Sequence, residues 1–346
     1  MINFGVAYTF RNPAQWRIPF PVLYQEHLRQ IVRAEELGYD TVWLTEHHFL
    51  DDGYSSALLP IAAAIAARTE RIRIGTSVML LPLHNPLRVA EDAATVDILS
   101  NGRLDLGLGQ GYRVEEFEGF GISRAERGPR LEEGIGIIRR AFTERNFTHE
   151  GRFYQYRNVT VTPEPVQKPH PPLWIAARGP KAIARAGRLG YHFIGTGGMD
   201  QQQIYDESLR AAGHRVEDFS IGQVRAIYIA PTRDAAFDAS EKYVHYVLNS
   251  YGEWMGKAQD LPGDTGLMSL PPAEQFRHLD TGRFFGEALI IGTPDDAIRM
   301  IEDYQRRTRV THLCMLMQIP GMRIETSSRS LELFAKEVMP HLRRNG

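Results

Sequence analysis

The chain has 346 residues, 43% hydrophobic and 24% charged, with a formal net charge of -2. That balance supplies a large apolar core and excludes a disordered or collagen-like chain. Lysine and arginine are scattered rather than gathered into a stripe, and no apolar run nears ~18 residues, so nucleic acid and membrane are not expected partners.

Residues 2–8 (INFGVAY) read as a strand, and the absence of a basic leader before it carries the expectation of a cytoplasmic protein. Residues 22–37 place Leu23, His27, Leu28, Ile31, Ala34 and Leu37 near one helical face, with Gly38 as the stop. TVWL (41–44) reads as a strand, 56–69 as a helix, 71–80 as a third strand, and 86–100 as a helix opening on Pro86. A fourth strand (102–109) and a helix (127–142) follow. Four strand–helix units in a row imply a parallel sheet with right-handed crossovers. The rhythm pauses over 147–165, which alternates like a hairpin, and over the Pro-rich connector 163–172. It resumes with strands at 173–177, 192–196 and 221–230 and helices at 180–189, 201–212 and 233–249. Residues 250–285 are rich in glycine and proline and are assigned no element. Thr293 caps a helix at 293–307, an eighth strand spans 311–319, and a helix closes the chain at 327–342. The single cysteine, Cys314, lies inside that strand, so it reads as a core residue in a reduced setting.

Eight strands alternating with helices predict an α/β fold, a (β/α)8 TIM barrel forming one domain over 1–346, with insertions after strand four and strand seven. An open doubly wound sheet would show G-x-G-x-x-G in its first strand–helix turn. That turn reads YTFRNPAQWRIPFP, and GLGQGY (107–112) is differently spaced and follows the fourth strand.

In a barrel, function gathers where strands end. The second strand delivers Glu46, His47 and His48; the third ends at Ser77 and Val78, before His84 and Asn85; the fourth leads to Gln110, Gly111, Tyr112, Arg113, Glu115 and Glu116. The fifth gives Ala177, Arg178, Gly179, Pro180 and Lys181, and the sixth Gly195 to Gly198. A metal held by both His47 and His48 is disfavoured, because neighbouring strand residues point to opposite faces. Paired carboxylates such as Glu46 and Glu116 are also compatible with glycosidase chemistry. A packed His48 with Glu46 as its hydrogen-bond partner is the plain structural reading. The segment ARGPKAI offers helix-start N–H groups beside Arg178 and Lys181, an anion pocket suited to a phosphate-bearing cofactor, and the GQG glycines (109–111) permit close approach.

Taken in order, YDTVWLTEHHF (39–49), GTSVMLLPLHNPLRVAEDAATVDILSNGRLDLGLGQGY (75–112), EEFEGFGI (115–122), LWIAARGPKAI (173–183) and SLELFAKEVMPHL (330–342) resemble the luciferase-like flavin monooxygenases, the family of the bacterial luciferase subunits. The resemblance implies an enzyme that receives FMN as FMNH2 from a separate NAD(P)H:flavin reductase. It implies reaction with O2 through a flavin C4a-hydroperoxide to oxygenate a small apolar organic substrate, and it implies a homodimer. By position, His47 falls on the catalytic histidine and would move protons. Glu46 falls on the carboxylate beside it and would orient the flavin or the imidazole, and His48 would be structural. Ser77–Val78 falls on a non-prolyl cis peptide against the flavin ring, Ala177, Arg178, Gly179 and Lys181 on the phosphate-binding segment, and Glu116 on an acidic position near the flavin. Gln110, beside Gly111, stands where luciferase has a phosphate-gripping arginine, and Gly109 stands where luciferase has a reactive cysteine, so light emission is not expected. Residues 250–285 fall on a mobile loop and would form a lid, with Trp254, Met255, Met268 and Leu270 as its apolar underside. Phe10, Trp16, Phe20, Phe49, Tyr54 and Tyr112, near the strand ends, agree with an apolar substrate. Two rivals share the fold: an F420-dependent dehydrogenase, and a non-catalytic flavin-binding or partner subunit. EHHF looks more like the FMN branch, and the silent subunit would lack the histidine.

Overall fold

The computed structural model describes residues 2–195, 199–259, 271–278 and 289–344. Its strands are β1 (Asn3–Tyr8), β2 (Thr41–Leu44), β3 (Arg73–Thr76), β4 (Met79–Leu80), β5 (Leu104–Gly109), β6 (Phe147–Glu150), β7 (Gln155–Val159), β8 (Leu173–Ala176), β9 (His192–Gly195), β10 (Ile221–Ile229), β11 (Leu289–Gly292) and β12 (His312–Leu316). Eight of them, β1, β2, β3, β5, β8, β9, β10 and β12, pair in parallel in that order. β12 returns to β1 from Asn3↔His312 to Val6↔Met315, which closes a (β/α)8 barrel.

The helices are α1 (Phe20–Glu36), α2 (Leu58–Ala66), α3 (Pro86–Leu99), α4 (Val114–Gly119), α5 (Arg127–Thr143), α6 (Pro180–Leu189), α7 (Met199–Ala211), α8 (Arg233–Lys257), α9 (Pro294–Arg307), α10 (Ile324–Leu333) and α11 (Met339–Arg344). Their ends follow local chemistry. Asn85 accepts from the N–H groups of Leu87 and Arg88 to start α3, and Thr293 with Asp296 forms a capping box on α9. Among the described residues, no helix is long and apolar enough to cross a membrane.

The short β2 shows why every residue of TVWL is buried. Val42 and Leu44 face the helical layer, while Trp43 packs with Ala7, Trp174, Ile194 and Cys314 inside the barrel. A Cβ on Gly5 or Gly75 would meet the Trp43 side chain at 2.4 or 2.3 Å, so both neighbouring strands yield space to one indole. Cys314 is fully buried, and burial pushes its thiol up, which leaves it an inert core residue.

Three segments differ from the sequence expectation. The third strand is split: the Ser77–Val78 peptide is cis, and β4 continues beyond it along β5 with Met79↔Leu108. β11 was not foreseen; it pairs with the far half of β10, from Ala226↔Leu289 to Ile229↔Gly292. A four-residue apolar run carries no periodicity by which to recognise it. α8 runs through Gly252 and Gly256 to Lys257 instead of stopping at 249. Each glycine costs about 1 kcal/mol in a helix, and contacts of Tyr246, Ser250, Tyr251 and Trp254 at the barrel mouth offset it. Of the expected lid, 250–257 is therefore helix, 273–278 is a 3-10 turn, and 260–270 and 279–285, with Met268 and Leu270, lie outside the described residues. The hairpin β6–β7 lies between α5 and β8.

Candidate active site at the C-terminal rim of the barrel

His47 follows β2 and is nearly sealed, with 6% of its side chain exposed. Its Nδ1 lies 2.7 Å from Glu116 Oε1 in α4. The same oxygen accepts the His48 backbone N–H at 2.9 Å and an Arg113 N–H at 3.3 Å. Arg113 also donates to the His48 carbonyl at 2.7 Å, so both backbone groups of His48 are tied to the segment after β5. A carboxylate that accepts at Nδ1 places the ring proton there. The lone pair of Nε2 is then left facing the Tyr112 hydroxyl, 3.5 Å away.

Four rings enclose His47: Tyr54, Tyr112, Tyr251 and Trp254, with centroids at 4.8, 5.6, 6.1 and 5.2 Å. Tyr54 is held by hydrogen bonds of 2.8 Å to Thr45 and to Tyr251. Burial pushes the phenols of Tyr54, Tyr112 and Tyr251 up, so all three stay protonated.

Glu46 and His48 belong to a separate network. Glu46 Oε1 lies 2.7 Å from His48 Nε2 and 2.7 Å from His84 Nε2, and its Oε2 accepts the Leu80 N–H at 3.3 Å. The carboxylate touching the His47 imidazole is Glu116; Glu46, which the resemblance assigned to orient the flavin or the imidazole, touches His48, as the plain structural reading had it, and His84. Burial works to raise the Glu46 carboxyl, but the two imidazoles overcome it and hold it below the usual carboxylate range. Burial likewise works to lower His84, and Glu46 raises it. The donor atoms of Glu46, His48 and His84 lie within 4.8 Å of one another, a set that can hold a divalent cation. His47 and His48 diverge into different networks, and the histidine that joins Glu46 and His48 is His84, which comes from the turn before α3.

The other expected residues line the rim. Val78, beyond the cis peptide, packs against β5, where a Cβ on Gly109 would come within 2.4 Å of its Cγ2. Gln110 and Gly111 follow β5; Gly111 has φ +72°, and the Gln110 side chain reaches Gly128 of α5. Ala177 is buried after β8 and donates its N–H to the Ile194 carbonyl. Arg178 and Lys181 are exposed at the start of α6, where Gly179 is the N-cap and no side chain caps the helix. Arg178 also contacts Met255 of α8. Arg178, Gly179 and Lys181 thus lie together, while Glu46 stands apart from His47.

An arginine and an aspartate were missed by sequence reasoning. Arg11, after β1, is fixed by Asp52 at 2.6 Å and by Tyr246 and Ser250 of α8 at 3.2 and 3.1 Å. It lies over the rings of Tyr54, Tyr246 and Trp254. The available signal was weak: a buried charge at a strand end in the first turn. Of the aromatic residues expected near substrate, Tyr54 and Tyr112 border His47. Phe10 packs on Tyr24 and His27, and Trp16 on Tyr243 and Tyr246. Phe20 and Phe49 line an open groove of about 700 Å³ that shares Tyr54 with the His47 enclosure.

A family model described as luciferase-like monooxygenase matches residues 2–311. The oxygenase component of flavin-dependent trigonelline monooxygenase from Acinetobacter baylyi is 28% identical, over 92% of this chain and 89% of that one. An F420-dependent glucose-6-phosphate dehydrogenase from Amycolatopsis mediterranei is 30% identical, over 91% and 93%. The crystal structure of the monooxygenase RslO1 from Streptomyces bottropensis matches with a TM-score of 0.85 at 27% identity, over 99% of this chain and 100% of that one.

Proposed function

The chain belongs to the luciferase-like monooxygenase family, and within it we propose an FMNH2-dependent monooxygenase that uses O2 to oxygenate a small organic substrate. The observation that carries this reading is the sealed His47–Glu116 pair. Oxygenation by reduced flavin needs a dry chamber and one placed proton donor and acceptor. A side chain only 6% exposed, walled by four aromatic rings and oriented through Nδ1, meets both needs.

The rim residues fit FMN. An uncapped N-terminus on α6 flanked by Arg178 and Lys181 suits a phosphate dianion. Ala177, Gly179 and Gly111 let backbone approach closely, Gln110 would serve the phosphate, and Ser77 and Val78 would border the ring. When bound, reduced FMN supplies the two electrons with which O2 places one oxygen atom on the substrate and the other in water. His47 Nε2 takes and returns a proton, Glu116 holds the Nδ1 proton and steadies a charged imidazolium, and the aromatic walls exclude water. The name of the trigonelline relative, an oxygenase component, supports a separate NAD(P)H:flavin reductase as the source of FMNH2.

The test is to bind FMN, reduce it without oxygen, mix with O2 in a stopped-flow instrument and follow the flavin spectrum. A return to oxidised flavin much slower than for free FMNH2 supports the reading; rapid return both with and without a panel of organic substrates sinks it. The dehydrogenase relative at 30% identity favours a second reading, hydride transfer with F420. A protein stabilised by F420 and not by FMN belongs to that reading.

A further inference from the structure

Arg11 is held more tightly than its place in the barrel requires. Its side chain is 1% exposed and its Nε donates to Asp52 at 2.6 Å. Nη2 donates to Tyr246 and Ser250, so the turn after β2 and helix α8 together fix the guanidinium plane. Its remaining nitrogen, Nη1, is buried and has no hydrogen-bond partner among the described residues. A charged donor left unpaired away from water is costly, and such groups mark places where a ligand completes the set. The guanidinium carbon lies 5.5 Å from the Tyr54 ring centroid and 5.0 Å from that of Trp254, and these two rings also pack on His47. Tyr54 in turn borders the open groove. Tyr54 and Trp254 therefore touch both a pre-oriented donor with one unpaired nitrogen and the proton-transfer histidine.

We infer that Arg11 Nη1 is the specificity-determining anchor of this site, and that the substrate is a planar aromatic molecule carrying an oxygen acceptor, a carboxylate or a ketone. Its ring lies against Tyr54 and Trp254, and its oxygen accepts from Arg11. This narrows the apolar substrate expected from the sequence: the rings beside His47 are tyrosines and a tryptophan backed by arginine, not phenylalanines. A fixed donor of this kind rejects ligands that cannot accept, because its desolvation is then uncompensated. The inference rests on the His47 enclosure being the reaction chamber.

The test uses benzoate, acetophenone and toluene as probes, titrated calorimetrically into the full chain with and without FMN. The wild type is expected to bind benzoate, acetophenone or both at least about 10-fold more tightly than toluene, as one hydrogen bond from a charged donor provides. Benzoate alone assigns carboxylates, and both assign oxygen acceptors in general. The Arg11→Met, Asp52→Asn double variant removes the donor together with its counter-charge. It is expected to bind all three probes within about 3-fold while keeping the toluene affinity. If it does not fold, Arg11→Lys replaces it, with the acetophenone preference expected to fall. No preference in the wild type, a preference that survives these variants, or a loss of FMN affinity with the preference intact overturns the inference. Failure of the oxygenase reading shows instead in the flavin–O2 kinetics and leaves the probe affinities unchanged, so the two failures are separable.

Discussion

His47 touches Glu116 across 69 residues of sequence at 2.7 Å, and this contact defines what each neighbour can do. Glu116→Gln keeps a hydrogen-bond acceptor and removes the charge that steadies an imidazolium. Product formation should fall about 10- to 1000-fold with the fold intact, since a placed acid–base group contributes about 10²–10⁴. His47→Ala should uncouple the reaction, with O2 consumed and peroxide released without product. Coupled hydroxylation at normal yield in His47→Ala would remove the residue from the mechanism. Gly109 makes a separate case. A side chain there meets Val78, a stiff β-branched residue, at 2.4 Å. Gly109→Cys should therefore destabilise by about 1–3 kcal/mol in denaturant unfolding, and Val78→Ala in the same chain should recover most of that. The departure at 109 from luciferase is thus matched by packing.

Two elements store pH sensitivity. In α1, His27 is buried against Tyr8 and Phe10, and burial lowers its pKa to about 3. The unfolded chain takes up a proton near the usual ~6.5, while the folded chain refuses it until about pH 3. Between those values the unfolded state holds more protons, so stability is lost as pH falls, by up to ~1.4 kcal/mol per pH unit for one group. His312 in β12, lowered to about 4 chiefly by burial, acts in the same direction. His27→Leu should flatten the fall of melting temperature between about pH 6.5 and 4 relative to wild type; parallel curves would show that another group controls it. Glu46 and His84 bracket the range from both sides. The lowered Glu46 loses its contribution as pH falls through its folded value, and the raised His84 loses its own as pH rises through its folded value. The helices and barrel strands were legible because their spacing is local: Leu23, Leu28 and Ile31 announce α1, and TVWL announces β2. The end of α8 was not legible, since Gly252 and Gly256 read as breakers and the contacts that override them come from Arg11, more than 230 residues earlier. For the same reason the contact between His47 and Glu116 was not legible in the sequence. The resemblance put Glu46 beside the flavin or the imidazole, and the turn of backbone after β2 brings Glu116 to the ring instead.

At the scale of the whole molecule, the closed barrel brings the ends of β1, β2, β3, β5 and β8 to one rim, so groups as far apart in sequence as Arg11 and Lys181 stand at the same end of the barrel. A ligand that binds this rim stabilises the entire fold by mass action. At 100 times its Kd the gain is about 2.7 kcal/mol. For a chain of 346 residues, unfolding entropy is about 0.7 kcal/mol per kelvin, so the melting temperature should rise about 4 °C. FMN and riboflavin share the ring and differ in the phosphate. If Arg178, Lys181 and the start of α6 hold that phosphate, FMN should give this shift at concentrations where riboflavin gives little. The Arg178→Glu, Lys181→Glu variant should then weaken FMN at least about 100-fold, as two reversed charges beside a dianion require, and leave riboflavin nearly unchanged. Equal shifts by FMN and riboflavin in the wild type would move the phosphate away from α6, and Gln110 with the α5 start facing it would be the next place to probe.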